Sequence, residues 1–414
     1  MELNRRSLLA GAVALGAMPA GRALAADKPV RIGFGMALTG GLAANGKMAL
    51  LGMQIWKDDI NKKGGLLGRP VEFVYYDDQS NPSNVPGIYT KLLDVDKVDF
   101  VVSGYATNII APAMPVVIAH NRLFLSLFGL DVNHQFHYPK YFTMTPTGPS
   151  ARGQTRGFFE LAMEQNPKPQ TLAIVAADAE YPRTAAEGIR DNAKEFKLKI
   201  VYDRTYPPST VDYTPIVRAV QATTPDIVYV ASYPPDSVGM LRAAHEIGLK
   251  TKIFGGGMVG LQTTSIKLQL GDMMNGIVNY DFWFPAPTMR FPGIMDFIHT
   301  YQARAKGQGM DPLGYYLGPW AYAYLQLLQH GVDATKGFDE DKIADYLHKN
   351  TIPTLMGDIK FTSQGELSET RVIFVQYQHL KGNGIDQFKD GKEPVVLWPK
   401  KYNDGKMMYP YRSV

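Results

Sequence analysis

The chain has 414 residues, 45% hydrophobic and 20% charged, with a net charge of +4 and no cysteine. That balance belongs to a globular chain of two or three domains, not to a disordered one. The missing cysteine excludes disulfides, thiolate nucleophiles, iron–sulfur clusters, cysteine-ligated zinc and a lipid-modified N-terminal Cys. The absence of any run of five basic residues leaves no charge footprint for a nucleic-acid partner.

Residues 1–25 differ from the rest. Asn4-Arg5-Arg6-Ser7-Leu8-Leu9 opens a charged segment, an apolar run extends from Leu8 to Met18, and Ala23-Leu24-Ala25 follows. This is the layout of a cleaved export signal. The paired arginines ahead of two leucines resemble a twin-arginine signal, although Asn4 and Leu8 stand where Ser or Thr and Phe are usual. Cleavage after Ala25 removes Glu2, Arg5, Arg6 and Arg22 and lowers the net charge from +4 to +2. The expectation is an exported protein, freely diffusing in the periplasm.

From residue 29 onward strand and helix patterns alternate. Val30–Phe34 reads as a strand and 46–63 as a helix with Met48, Leu51, Ile55 and Ile60 on one side. Val71–Tyr75 is the next strand, followed by a helix near 83–95, strand Phe100–Val102, helix 109–120 and strand Leu123–Leu125. A second series runs through helix 150–164, strand Leu172–Val175, helix 182–196 and strand Lys199–Tyr202. It continues with helix 213–222, strand Ile227–Val230, helix 235–247 and strand Lys252–Phe254. Helices at 314–330 and 339–349 and a strand-like Arg371–Tyr377 close the chain. Such βαβα order predicts an α/β protein of two doubly wound, Rossmann-like lobes. Crossovers are expected at Thr143–Thr147, Val278–Trp283 and Met356–Phe361, giving 26–144 plus 281–356 as lobe 1 and 145–280 plus 357–414 as lobe 2.

Motifs of catalysis are missing. The Thr39–Gly46 stretch matches neither nucleotide-binding glycine pattern, though Lys47 follows it, and Gly255-Gly256-Gly257 lacks the dinucleotide spacing. His134 and His137 sit three apart in an aromatic loop with no acidic ligand close by. Asp77-Asp78 ends a strand, where solvated loop acids are the plainer reading. G-x-S-x-G is absent. Nothing assembles nucleophile, base and oxyanion stabiliser, so neither enzyme, cofactor nor metal is expected.

Several ordered pieces carry a resemblance. They are Gly35–Gly40 with Gly46, Asp59-Ile60-Asn61-Lys62-Lys63-Gly64-Gly65, Leu67–Val71, Asp77-Asp78, Ser103-Gly104 ahead of Ala111-Pro112-Ala113, Asp212–Val217 and Thr224-Pro225-Asp226. In this order they resemble the branched-chain amino-acid class of substrate-binding proteins of ABC transporters, over essentially the whole chain after the signal. The resemblance implies a type I periplasmic-binding fold whose two lobes, joined by a three-segment hinge, close on a small molecule. It also implies a monomeric receptor that docks on permease subunits in the inner membrane; a receptor serving a periplasmic sensor has the same fold.

In that family the ligand carboxylate is held by two first-lobe loops, which match Tyr105-Ala106-Thr107-Asn108 and Ser126-Leu127-Phe128-Gly129 here. Second-lobe aromatic positions match Tyr181 and Tyr233. The acidic partner of an amino-acid ammonium falls at Gly257, or at Met258 with a shift of one residue. Neither can pair an ammonium, and Leu127, Phe128 and Leu130 replace the small polar residues usual on their loop. The expected ligand is therefore an aromatic or otherwise apolar organic acid, unless Asp178, Glu180 or Asp281 reaches the cleft and restores an amino-acid site.

Overall fold

The computed structural model describes residues 28–411; the export signal expected at 1–25 lies outside the described residues. The first series runs β1 (Val30–Met36), α1 (Ala43–Lys62), β2 (Val71–Asp77), α2 (Val85–Thr90), β3 (Phe100–Tyr105), α3 (Thr107–Ile110), α4 (Met114–Ala119), β4 (Phe124–Leu127), α5 (Asn133–Phe136) and β5 (Tyr141–Thr143). Its strands form one parallel sheet in the order β2-β1-β3-β4-β5. β1 and β3 are buried almost throughout, as parallel strands covered on both faces must be.

The second series runs α6 (Ala151–Met163), β6 (Thr171–Ala177), α7 (Glu180–Glu195), β7 (Lys199–Tyr206), α8 (Thr214–Ala222), β8 (Ile227–Ser232), α9 (Pro234–Ile247), β9 (Ile253–Met258), α10 (Thr264–Leu270) and β10 (Val278–Asp281). The chain then passes back to the first sheet. There α11 (Ile294–Ala305), α12 (Gly318–Thr335) and α13 (Glu340–Lys349) follow, with α12 packed on α1, β4 and α13. A hairpin, β11 (Ile352–Thr354) and β12 (Gly357–Ile359), precedes the return to β13 (Ile373–Gln376) and β14 (Val395–Trp398). The second sheet has the order β14-β13-β10-β9-β8-β6-β7, parallel from β7 to β10 and antiparallel at β13 and β14. The molecule is thus an α/β protein of two doubly wound lobes.

Three segments join the lobes, and backbone hydrogen bonds tie two of them together. Thr143 N donates to Gly365 O at 2.8 Å and Arg371 N to Pro146 O at 2.7 Å. The motif around Asn61 has a local cause: its side chain donates to Val71 O at 2.9 Å and accepts from Val71 N at 2.7 Å, fixing the start of β2 against the end of α1. Asp77 accepts from Leu38 N, Thr39 N and the Thr39 hydroxyl, which pins the loop ahead of α1. Burial opposes its charge, yet the Thr39 hydroxyl and the backbone donors hold its carboxyl below the usual range. Gly46 belongs to packing and not to a nucleotide loop, since a Cβ there would stand 1.9 Å from Ala37 O. No helix among the described residues is long and apolar enough to cross a membrane.

Candidate functional site

Both sheets turn the carboxyl ends of their parallel strands toward each other. In open α/β sheets ligands bind at that edge, where the chain leaves strand for helix. β3 ends at Tyr105 and enters the turn Ala106-Thr107; β4 ends at Leu127 and enters Phe128–Leu130. Opposite them, β6 leads to Tyr181 on α7, β8 leads to Tyr233 immediately before α9, and β10 leads to Tyr280 and Phe282. These segments enclose a small chamber whose wall also includes Gln154 of α6, Val259 after β9 and Tyr316 from the loop before α12.

The wall is aromatic on both sides. The Phe128 ring lies 5.0 Å from that of Phe282 and 5.6 Å from that of Tyr316, edge to face in each case. Phe282 and Tyr316 stack at 5.9 Å with an interplanar angle of 14°. Tyr181 and Tyr233 are 5.8 Å apart. Such pairs add about 0.5–1.5 kcal/mol beyond the area they bury, so the rings stiffen one another. Two non-glycine wall residues hold left-handed backbone, Ala106 at φ +88° and Phe128 at φ +67°. Strain of this kind persists where surrounding contacts over-determine it, and it clusters at ligand sites.

The polar atoms of the wall are neutral. The Tyr105 hydroxyl is 3.3 Å from that of Tyr316, which is 3.5 Å from that of Tyr280. Burial pushes Tyr105 up to about 12 and holds Tyr181, Tyr233, Tyr280 and Tyr316 above the usual phenol range. All five stay protonated at neutral pH. The Tyr181 and Tyr233 hydroxyls already donate to Gly257 O and Asn108 Oδ1, so the phenol donors open to an anion come from the linked Tyr105, Tyr316 and Tyr280 hydroxyls. The Thr107 hydroxyl accepts from Leu130 N at 3.1 Å, which leaves its own proton to be donated into the chamber. No Asp, Glu, Lys, Arg or His lines it among the described residues.

The chamber is small: its volume is about 30 Å³, room for about two waters. Beyond Tyr233 opens a cleft of about 580 Å³ between the lobes, bordered by Gly41 and Asn108 on one side and by Asp178, Glu180 and Arg183 on the other. Tyr233 belongs to both spaces. Its hydroxyl donates across the cleft to Asn108 Oδ1 at 2.7 Å.

Of the residues singled out from the sequence, Tyr105, Ala106, Thr107, Phe128, Tyr181 and Tyr233 share this wall. Ser126, Leu127, Gly129, Gly257 and Met258 do not line it. The Ser126 hydroxyl accepts from the Tyr141 hydroxyl, Leu127 N donates to Ser103 Oγ and Gly129 N donates to Thr143 Oγ1, so all three are turned inward to hold the loop. Met258 is fully buried, its backbone clasped by the Asn279 amide. Gly257 sits behind Tyr181, whose hydroxyl donates to its carbonyl at 3.2 Å; a Cβ there would lie 3.2 Å from the Tyr229 ring and 3.3 Å from that hydroxyl. Of the three acids named as replacements for the missing partner, two reach the cleft between the lobes, but outside the chamber wall. Asp178 and Glu180 border the outer cleft, and Asp281 is buried against Phe282 N and near Lys267. His134 and His137 lie on and just after α5, and no metal-ligating cluster occurs among the described residues.

Sequence reasoning missed Gln154, Tyr280, Phe282 and Tyr316. Residues 278–281, taken as part of a crossover, form β10, and that strand delivers Tyr280 and Phe282 to the chamber. The signal available was the aromatic run Tyr280–Phe284 next to a β-like segment.

A family model of periplasmic binding proteins matches residues 29–384. The chain belongs to the periplasmic binding protein family. It is 26% identical over 373 residues to the Leu/Ile/Val-binding protein of Escherichia coli strain K12, spanning 89% of this chain and 95% of that one. Among solved structures it resembles a leucine-binding protein from Thermotoga maritima, with a TM-score of 0.73 and 17% identity over 85% of this chain and 98% of that one. It also resembles an ABC-transporter solute-binding protein from R. palustris in complex with benzoate, with a TM-score of 0.74 and 16% identity over 89% and 95%. The family consists of solute-binding receptors of ABC transporters, not enzymes. They act in the periplasm, bind small molecules and deliver them to membrane permeases.

Proposed function

We propose that this periplasmic binding protein captures a small aromatic, or otherwise apolar, organic acid and presents it to its permease. The observation that carries this is a chamber walled by aromatic rings from both lobes, with neutral donors and no carboxylate facing it. An α-amino acid buried there would leave its ammonium unpaired, at a cost of several kcal/mol. A carboxylate without an amine meets donors in the Thr107 hydroxyl and in the linked Tyr105, Tyr316 and Tyr280 hydroxyls. Burying a ring the size of phenylalanine's contributes about 1.5–3 kcal/mol, and the edge-to-face geometry of the wall favours a flat ligand over a branched aliphatic one.

The lobes move as units about the three connecting segments, and the Tyr233–Asn108 contact forms when they close. The receptor works as a monomer and is exported through the twin-arginine-like signal at its N-terminus, which is then removed. A second reading, a branched-chain amino-acid receptor, is favoured by the likeness to the Leu/Ile/Val-binding protein. A thermal-shift screen separates the two. A ligand at 100 times its dissociation constant adds about 2.7 kcal/mol of stability, which raises the melting temperature by a few degrees. Benzoates should produce that rise and leucine should not.

A further inference from the structure

Gln154 lies in the first turns of α6, is 3% exposed, and forms part of the chamber wall. Its Nε2 donates to the Tyr181 hydroxyl at 3.3 Å. The proton of that hydroxyl goes to Gly257 O at 3.2 Å, a carbonyl that can only accept. The network fixes the amide's orientation. Turned over, it would set Gln154 Oε1 against the oxygen of a hydroxyl whose proton is already committed. With Nε2 toward Tyr181, Oε1 is a buried acceptor with no hydrogen-bond partner among the described residues. Buried acceptors are ordinarily paired, and leaving one unpaired is unfavourable. The Thr107 hydroxyl, the linked Tyr105, Tyr316 and Tyr280 hydroxyls and the Gln154 amide thus give one small chamber two kinds of polar site: donors suited to an anion, and one acceptor suited to a donor.

We propose that Gln154 Oε1 is a specificity determinant that accepts a hydrogen bond from a hydroxyl or amino substituent on the bound acid, so that the preferred ligands are hydroxy- or amino-substituted aromatic acids. This rests on the aromatic-acid reading of the chamber. Gln154 is held in place through Tyr181 and, behind it, the side-chain-free Gly257. Gly257, which stands behind the wall where the resemblance puts the ammonium partner, therefore also orients the acceptor through its carbonyl. A ligand of the same shape without the donor leaves Oε1 unpaired on closure, and a site built to bond a substituent discriminates strongly against an analogue lacking it.

The test is calorimetric titration of the mature protein with 2-, 3- and 4-substituted benzoates carrying hydroxyl, amino, methyl or methoxy groups. At one ring position the hydroxyl or amino compound should bind about tenfold or more tighter than its methyl and methoxy counterparts. Methoxy matters because it offers an acceptor but no donor. Gln154→Met and Gln154→Leu should bring that ratio close to one. Equal binding of hydroxyl and methyl compounds by the wild type overturns the inference, and this arm needs no variant to fold. So does a preference that survives in either variant. Failure of every benzoate to bind overturns the aromatic-acid reading itself, and the inference with it.

Discussion

Thr107 illustrates how one side chain can serve fold and ligand together. Its oxygen accepts from Leu130 N and so joins the two first-lobe loops, while its proton remains available to a carboxylate. Thr107→Val keeps the shape and removes both bonds. Calorimetry should show binding of an aromatic acid weakened by about 1–3 kcal/mol, the effect of a charged acceptor left underpaired; unchanged affinity would remove Thr107 from the site. Gly257→Glu probes the support behind the opposite wall. The new side chain would press on Tyr181 and Tyr229, so aromatic-acid affinity should fall in the same assay. Much of this was legible residue by residue. Thr107, Phe128, Tyr181 and Tyr233 were legible through the family resemblance, which matches them to loops that follow strands. Ser126, Leu127 and Gly129 occupy the same loop, but the Ser126 hydroxyl and the Leu127 and Gly129 N–H groups are committed to Tyr141, Ser103 and Thr143, and one sequence does not specify those partners. Gln154 could not be picked out at all, because its importance lies in a bond from Tyr181 to Gly257 far along the chain.

The elements were easiest to see where periodicity was strong, as in α1, α7 and the buried strands β6 and β8. β10 escaped because four residues followed by an aromatic run look like a connector until β9 and β13 are seen to pair with them on either side. That strand ends in Asp281, fully enclosed among apolar residues, and burial pushes its carboxyl up to about 6 although Lys267 opposes the shift. A carboxyl whose folded value exceeds its unfolded one binds more protons in the native state. Stability from this group is thus highest at low pH and declines as pH rises from about 4 through 6. Denaturant unfolding of wild type and Asp281→Asn across that range should differ by roughly 2–3 kcal/mol in the size of the decline; parallel curves would show that Asp281 titrates normally. At the other side of the cleft, α3 and α9 meet through Asn108 and Tyr233. Tyr233→Phe loses one hydrogen bond worth about 0.5–1.5 kcal/mol. Stopped-flow release of bound ligand should quicken by up to about tenfold, whereas an unaltered release rate would mean that the contact does not hold the closed form.

At the scale of the molecule, two stiff sheets meet at their ligand-bearing edges, and only a few segments join them. The alternating pattern predicted two lobes. The pairing of hinge segments, Thr143 with Gly365 and Pro146 with Arg371, links residues more than 200 positions apart and leaves no local trace. Between such walls ligand identity is a matter of their chemistry: rings from both lobes, protonated hydroxyls and no acid. Direct calorimetric titration with leucine, phenylalanine and a benzoate series tests that claim most directly. Saturable binding of one or more benzoates, with no response to leucine, is the expected result. Micromolar binding of leucine with no response to any aromatic acid would contradict it, and binding of phenylalanine alone would show that the chamber does pair an ammonium.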